Sequence, residues 1–451
     1  MKTTRRILFA FVAALAIASA ARADDLVDMR RACLDRGNFH KGIHWFEECI
    51  QELFSADPVH IAVTFVSPGA GTAAFGLGFA EVPRIRAYEF LINGVAAVST
   101  DGSYITQLQA TLALPGHGIR LEDWQRTLVQ KYGLQALARP NLHDPVDAKT
   151  AITLRWRRID AREQDFYGLG PDSTLAARAS YGLILNETYA GISDPFTQWN
   201  TFGFDFSFLQ PRVTSSINDV PEIQSAYSEA TAPGLTIRDD FIRFGPNITV
   251  RIPARRSYFT ALNASYSVYD ALGDPLHSFQ RLSAVSRTEI PLWLPSHHTP
   301  SHRNAFKNTV CPSLRSDTRC SVGTLDFIAS TSVSYKSADS QVPFYFDPTL
   351  GGTNMAGDDT LRGFTDFRFR APNDVLFQLE YRHPIYGPLG LLGFYDTGKV
   401  ALIPSELGFT QLRHDIGLGI YLQASNHEIV RFYIGFGTGE PLQSRIKFPA
   451  P

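Results

Sequence analysis

Two short stretches of this 451-residue chain hold residue types that could do chemistry together. The first, Leu350-Gly-Gly-Thr-Asn-Met-Ala-Gly-Asp-Asp-Thr-Leu-Arg-Gly-Phe364, puts Arg362 on a glycine-rich loop, and the second, Gly393-Phe-Tyr-Asp-Thr-Gly398, puts Asp396 on a later strand. The chemistry is electrostatic. A guanidinium confined in a lumen needs a carboxylate, and its planar fork engages one bidentately where lysine cannot. Losing one partner of such a buried pair costs about 3–5 kcal/mol, because the survivor is left uncompensated. The plainer alternative is an arginine on a solvated loop, where the same pair contributes about 0–1 kcal/mol. Glu380, which shares a face with Gln378 and Arg382 by period-two alternation, is a second candidate partner.

Other constellations are weaker. His40 and His44 stand four apart with Glu48 a turn later, which is metal-ligand spacing on a helix, but the intervening Lys41-Gly42-Ile43 has a helix breaker and no glutamate. Surface histidines are the better reading. His297, His298 and His302 lie near Cys311 and Cys320, and a disulfide there would consume the thiolates. Gly69-Ala-Gly71-Thr-Ala-Ala74 imitates a dinucleotide fingerprint, yet Phe75-Gly-Leu-Gly-Phe79 after it is no helix, so the glycines read as a hairpin loop. There is no Gly-x-Ser-x-Gly elbow and no nucleophile–base pair. Neither catalytic residues, nor a metal, nor a cofactor is expected, and the chain is not read as an enzyme.

The elements that must position Arg362 and Asp396 are strands. No segment after the N-terminus offers 18 consecutive apolar residues, which excludes a helical membrane protein. From Leu325 to Lys336 one face reads Leu325, Phe327, Ala329, Thr331, Val333, Tyr335 and the other Asp326, Ile328, Ser330, Ser332, Ser334, Lys336. The same alternation recurs at Tyr258–Tyr269, Asp415–Gln423 and Val430–Gly437. A soluble sandwich would alternate too, but the polar faces here are rich in serine and glycine, and aromatics fall at strand ends as an interfacial girdle requires. The expected fold is all-β: an antiparallel transmembrane barrel of about sixteen strands, an even count that leaves no unpaired edge in lipid.

Those strands are predicted at 58–67, 73–82, 86–97, 102–114, 151–160, 175–187, 199–212, 240–252, 257–269, 278–293, 324–337, 373–385, 388–401, 412–424, 428–437 and 441–448. With the N-terminus periplasmic, the long loops 161–174, 213–239 and 338–372 face outside. Pro253-Ala-Arg-Arg256 is a tight periplasmic turn. Two periplasmic connections are long: residues 115–150, with a helix over Leu121–Tyr132, and residues 294–323.

Residues 1–23 read as a secretory signal peptide: Lys2, Arg5 and Arg6, a twelve-residue apolar run Ile7 to Ala18, then Ala21-Arg22-Ala23. Four of the 42 Lys and Arg and none of the 44 Asp and Glu lie there, so the mature chain has 38 basic residues against 44 acidic, a net of −6. Nothing in that balance suggests nucleic acid. Residues 24–56 form a short periplasmic segment, helical over Asp25–Phe54, and residues 57–451 the barrel. Cys33/Cys49 and Cys311/Cys320 make two local pairs in a chain bound for an oxidising compartment, which predicts two disulfides on the periplasmic side, free thiols being the alternative.

With the Leu361-Arg362-Gly363-Phe364 loop and the Phe394-Tyr-Asp-Thr-Gly398 strand in view, the chain resembles the BamA/TamA superfamily of outer-membrane barrels, the bacterial surface antigen family. The resemblance runs from about Asp165 to Phe448. It includes Asp165-Phe-Tyr-Gly-Leu-Gly170, Ala232-Pro-Gly-Leu235, Val342-Pro-Phe344, Gly351-Gly352, Glu380-Tyr-Arg-His-Pro384 and the closing strands. It implies a Gram-negative outer-membrane location, a loop folded into the lumen with Arg362 at its tip and Asp396 as wall partner, and a lateral seam between the first and last strands. The implied partners are outer-membrane lipid and unfolded outer-membrane or secreted polypeptide. Members that insert or export proteins resemble one another in carrying POTRA domains before the barrel, for which this chain has no room, so it looks like a short branch of the family. A passive pore or structural surface barrel is the alternative function.

Overall fold

The computed structural model describes residues 59–65, 73–81, 84–85, 88–114, 150–197, 200–217, 220–253, 259–294, 320–386, 389–424 and 427–447. The expected signal peptide, the N-terminal helical segment, the Leu121–Tyr132 helix, the turn after Pro253, the three histidines at 297–302 and Cys33, Cys49 and Cys311 lie outside them. Cys320 opens a strand, but its side chain is not among those described.

The described chain forms one antiparallel sheet of seventeen strands, of which one is the two-residue Arg84–Ile85, and a separate two-stranded ladder of Thr349–Leu350 with Phe369–Arg370. The other sixteen strands of the sheet are labelled in chain order. The first four are β1 Val59–Phe65, β2 Ala73–Glu81, β3 Tyr88–Ser99 and β4 Tyr104–Ala113. Next come β5 Ala151–Phe166, β6 Ala179–Thr197, β7 Asn200–Thr214 and β8 Phe241–Pro253. They are followed by β9 Phe259–Ala271, β10 Phe279–Leu294, β11 Cys320–Tyr335 and β12 Asn373–Tyr386. The last four are β13 Leu389–Ala401, β14 Arg413–Ala424, β15 His427–Gly437 and β16 Gln443–Lys447. Each strand pairs with the next, a sixteen-strand meander at the expected places. Residues 66–72, with Gly69 and Gly71, join β1 and β2, which pair from Phe65–Ala73 to Val59–Phe79.

Three strands differ most from the sequence reading; one is β11, which starts at Cys320 rather than at residue 324, so Cys320 lies on a strand and not in the connection before it. The fifth strand continues to Phe166 through an irregularity between Ala161 and Gln164. The sixth starts at Ala179, after a 3-10 turn over Leu175–Ala177, and runs to Thr197. The charged residues Arg162, Glu163 and Asp165 disguise the last six residues of β5 as loop; the strand continues there because its end packs beneath other loops, as Phe166, fully buried, does.

The polarity of the sheet is inverted relative to a soluble protein. On β14, Leu418 is 70% exposed while Asp415 is 3% exposed. On β11 Phe327 is exposed and Asp326 buried, and on β15 Phe432 and Phe436 are exposed and Arg431 and Tyr433 buried. Leucine and phenylalanine outside, with carboxylates and guanidiniums inside, is stable only where the outside is lipid.

The sheet also curls into a cylinder. At about 4.8 Å per strand, a flat sheet would separate β5 from β16 by about 50 Å. Yet one guanidinium, that of Arg368, holds Ser173, just after β5, at 2.8 Å and Glu440, just before β16, at 2.6 Å. From Val342 to Ala371 the connection after β11 is mostly buried and packs against the inner face of this cylinder. Phe346 packs on Phe241 of β8 and on Tyr269 and Phe279 of β9 and β10, and Phe344 on Phe166 and Tyr181 of β5 and β6. Among the described residues no ladder joins β1 to β16.

Candidate functional site

The tip of the inner loop is fixed by three kinds of contact. Leu361 and Phe364 supply the apolar one, packing with Leu350, Phe369, Leu376 of β12 and Val400 of β13. Gly363 supplies close approach: a Cβ there would lie 2.6 Å from both the Cβ of Asp415 and the backbone nitrogen of Gly437, so only glycine seats against the glycine-bearing face of β15.

Arg362 supplies the charge. Its Nε and one terminal nitrogen each donate to a different oxygen of Asp396 at 2.8 Å, and its backbone N–H donates to Asp396 at 3.2 Å. The other terminal nitrogen donates to Glu380. The guanidinium also lies 3.7 Å over the ring of Phe394, which shares the inward face of β13 with Asp396. Arg362 is 2% exposed and Asp396 fully buried. Burial by itself would lower the Arg362 pKa, but Asp396 and then Glu380 hold it above the usual arginine value. The guanidinium is thus permanently charged, satisfied and stacked.

Around this pair the wall residues form a network. Glu380 also meets Arg431 at 3.3 Å, and Arg431 donates to Glu428 at 2.8 Å. Gln378 donates to the carbonyl of Thr360 at 2.9 Å, while Arg382 donates to Asp326 at 2.6 Å and lies 3.8 Å from Glu380. Asp359, three residues before the tip, accepts from Lys447 at 2.7 Å and from Tyr433 at 3.2 Å. Asp366 meets Arg445 at 2.6 Å; burial pushes the Asp366 carboxyl up more than Arg445 pulls it down. Lys447 and Arg445 both belong to β16, so the last strand is bound to the loop as well as to β15.

The second half of the loop has its own anchors. Arg370, 1% exposed, donates to the carbonyl of Phe344 at 2.8 Å and the hydroxyl of Tyr181 at 3.1 Å, amid the rings of Phe166, Tyr181, Phe344 and Phe367. Three stretches picked out in the sequence meet here: Phe166, Ala232, Leu235 and Phe344 share one core, and the Phe344 N–H donates to the carbonyl of Pro233 at 2.8 Å.

The structure therefore brings Leu361, Arg362, Gly363, Phe364, Glu380 and Asp396 together. Sequence reasoning missed Asp359, Asp366, Arg368, Arg370, Arg431, Arg445 and Lys447. The alternation Asp366-Phe-Arg-Phe-Arg370 was the available signal, since three charges within five residues of a buried tip each demand a partner.

No protein-family model matches the chain, and no curated protein matches it. Among solved structures its neighbours include BamA and CdiB outer-membrane barrels and, at lower TM-scores, OprD from Pseudomonas aeruginosa. BamA from Haemophilus ducreyi lacking POTRA domains 1-3 is 12% identical with a TM-score of 0.49, over 87% of this chain and 69% of that one. CdiB from Acinetobacter baumannii is 11% identical with a TM-score of 0.45, over 83% of this chain and 55% of that one. CdiB from Escherichia coli is 12% identical with a TM-score of 0.43, over 90% and 69% respectively.

Proposed function

We propose that this chain is an outer-membrane barrel of the BamA/TamA type that moves polypeptide or lipid into or across the outer membrane through a lateral opening between β1 and β16. The observation that carries this reading is the Arg362 anchor. It fixes a loop in the lumen, where a passive pore needs an open path. The lateral route draws support from the size of the terminal strands, seven residues in β1 and five in β16 against nineteen in β6. Five ladder positions join β16 to β15, so the strand that would border the opening is a short edge. In this reading the loop holds the barrel's shape and guides β16 through Lys447 and Arg445. No catalytic step and no cofactor enter it.

The test compares the outer-membrane proteome and lipid distribution of cells with and without the protein. The reading expects a defined set of barrels, or one lipid class, to fall or be displaced. An unchanged membrane, together with a steady open channel in planar bilayers, would make the protein a passive pore instead.

A further inference from the structure

On the wall remote from Arg362, the pairing register aligns Arg155 of β5, Tyr189 of β6, Ser207 of β7 and Arg243 of β8 in one row. The neighbouring row begins Arg157, Glu187. Three guanidiniums converge on Glu187: those of Arg155 at 3.2 Å, Arg157 at 2.8 Å and Arg243 at 3.3 Å. Ser207 adds a hydroxyl at 3.2 Å. The other nearby carboxylate, Asp205, is engaged by the Tyr189 hydroxyl at 2.5 Å and the Asn247 amide at 2.8 Å. Three cations against these two anions leave a surplus positive charge inside the wall.

The donors are unbalanced as well. Arg155 is 5% exposed and lies 4.6 Å over the Tyr189 ring, yet its Nε and one terminal nitrogen are buried with no partner among the described residues, as is the Nε of Arg157. Buried guanidinium donors without acceptors are costly, and a buried surplus charge more so. Arg157 and Arg243 keep about a quarter of their side-chain surface exposed on the inward face, so the cluster is reachable from the lumen.

We infer that Arg155, Arg157 and Arg243 form an oxyanion-binding site of the phosphate class on the inner wall. A phosphate oxygen set matches the planar forks of adjacent guanidiniums, supplies the missing charge and accepts hydrogen bonds from the lumen-exposed parts of Arg157 and Arg243. The ligand is free phosphate or the phosphate of a lipid headgroup entering the lumen. The inference does not depend on the translocase reading, since a pore would carry the same site.

The test follows thermal unfolding of the full mature protein in micelles of an uncharged, phosphate-free maltoside detergent by tryptophan fluorescence, with Trp156 on β5 next to Arg155 and Arg157 in sequence. One arm titrates sodium phosphate at ionic strength held constant with sodium chloride; the other adds short-chain phosphatidylglycerol. A saturable rise in unfolding temperature with phosphate identifies free oxyanion, and a rise with the glycerol lipid alone identifies a headgroup. In either case R157Q/R243Q should raise the half-saturating concentration about tenfold or more, while R212Q, on the outward face of β7, leaves it unchanged. If R157Q/R243Q loses its folded gel mobility, R157K/R243K, which keeps the charge but not the forks, should bind several-fold more weakly than the unaltered protein. No response in either arm, or responses unchanged by the substitutions at Arg157 and Arg243, overturns the assignment.

Discussion

Asp396 takes Arg362 with both carboxylate oxygens at 2.8 Å, across 34 residues of sequence, while the same guanidinium reaches Glu380 and stacks on Phe394. A lysine could reach one of these groups but not all three. Arg362→Ala should cost about 3–5 kcal/mol, and Arg362→Lys should recover less than half of that. The temperature at which the folded band is lost on gels reads both effects. A lysine variant as heat-resistant as the unaltered protein would show that charge alone, without the fork, holds the loop.

Gly363 is required for space. A methyl group there would press on Asp415 and on the backbone of Gly437 at 2.6 Å. Gly363→Ala should therefore cost about 1–3 kcal/mol and expose the loop to added protease, although Arg362 and its partners are intact. Equal protease resistance would mean that the tip has room the structure does not give it.

Lys447 and Arg445 tie β16 to Asp359 and Asp366 of the loop. With five ladder positions to β15, this strand depends on those ties more than its neighbours do. Replacing both by alanine should speed amide hydrogen exchange at residues 443–447 by about tenfold or more, as expected when about 1.4 kcal/mol of local stability is lost, with β13 and β14 little changed. Exchange that rises evenly over β13 to β16 would contradict this.

Asp347, at the start of the inner loop, is buried with both carboxylate oxygens lacking hydrogen-bond partners among the described residues. Burial pushes its carboxyl up to about 8, against the opposing pull of Arg281 and Arg370. The unfolded chain releases that proton near pH 4, so between about pH 4 and 8 the folded protein holds a proton that the unfolded one has lost, and stability falls as pH rises through this window. Asp347→Asn should raise the unfolding temperature at pH 8 and have little effect at pH 4. A gain that is the same at both values would remove the titration from the account.

Much of this was legible in the sequence for physical reasons. Alternation with period two marks which residues face lipid, and on β11 and β14 Phe327 and Leu418 are exposed where Asp326 and Asp415 are buried, so number and placement of strands could be read off. It fails where a strand leaves the membrane: the last six residues of β5 carry charges on both faces because loops, not lipid, cover them. Arg362 was legible because glycines and a single arginine define a tip. Arg370 was not, since its partners are rings and neutral oxygens far away in sequence, and no charge pattern points to Tyr181 or Phe344. Arg155 and Arg157 went unread, because alternation puts them on one face but says nothing about what gathers opposite from β6 to β8.

The claim on which the account rests is that Arg362 and Asp396 stabilise the barrel through one another. A double-mutant cycle measures this: Arg362→Ala, Asp396→Ala and the double variant, unfolded by urea from detergent micelles. The account predicts strong non-additivity, the double variant losing little more than either single one, with a coupling of at least about 2 kcal/mol. Additive losses, with coupling within about 0.5 kcal/mol of zero, would place the two residues in separate surroundings and contradict it.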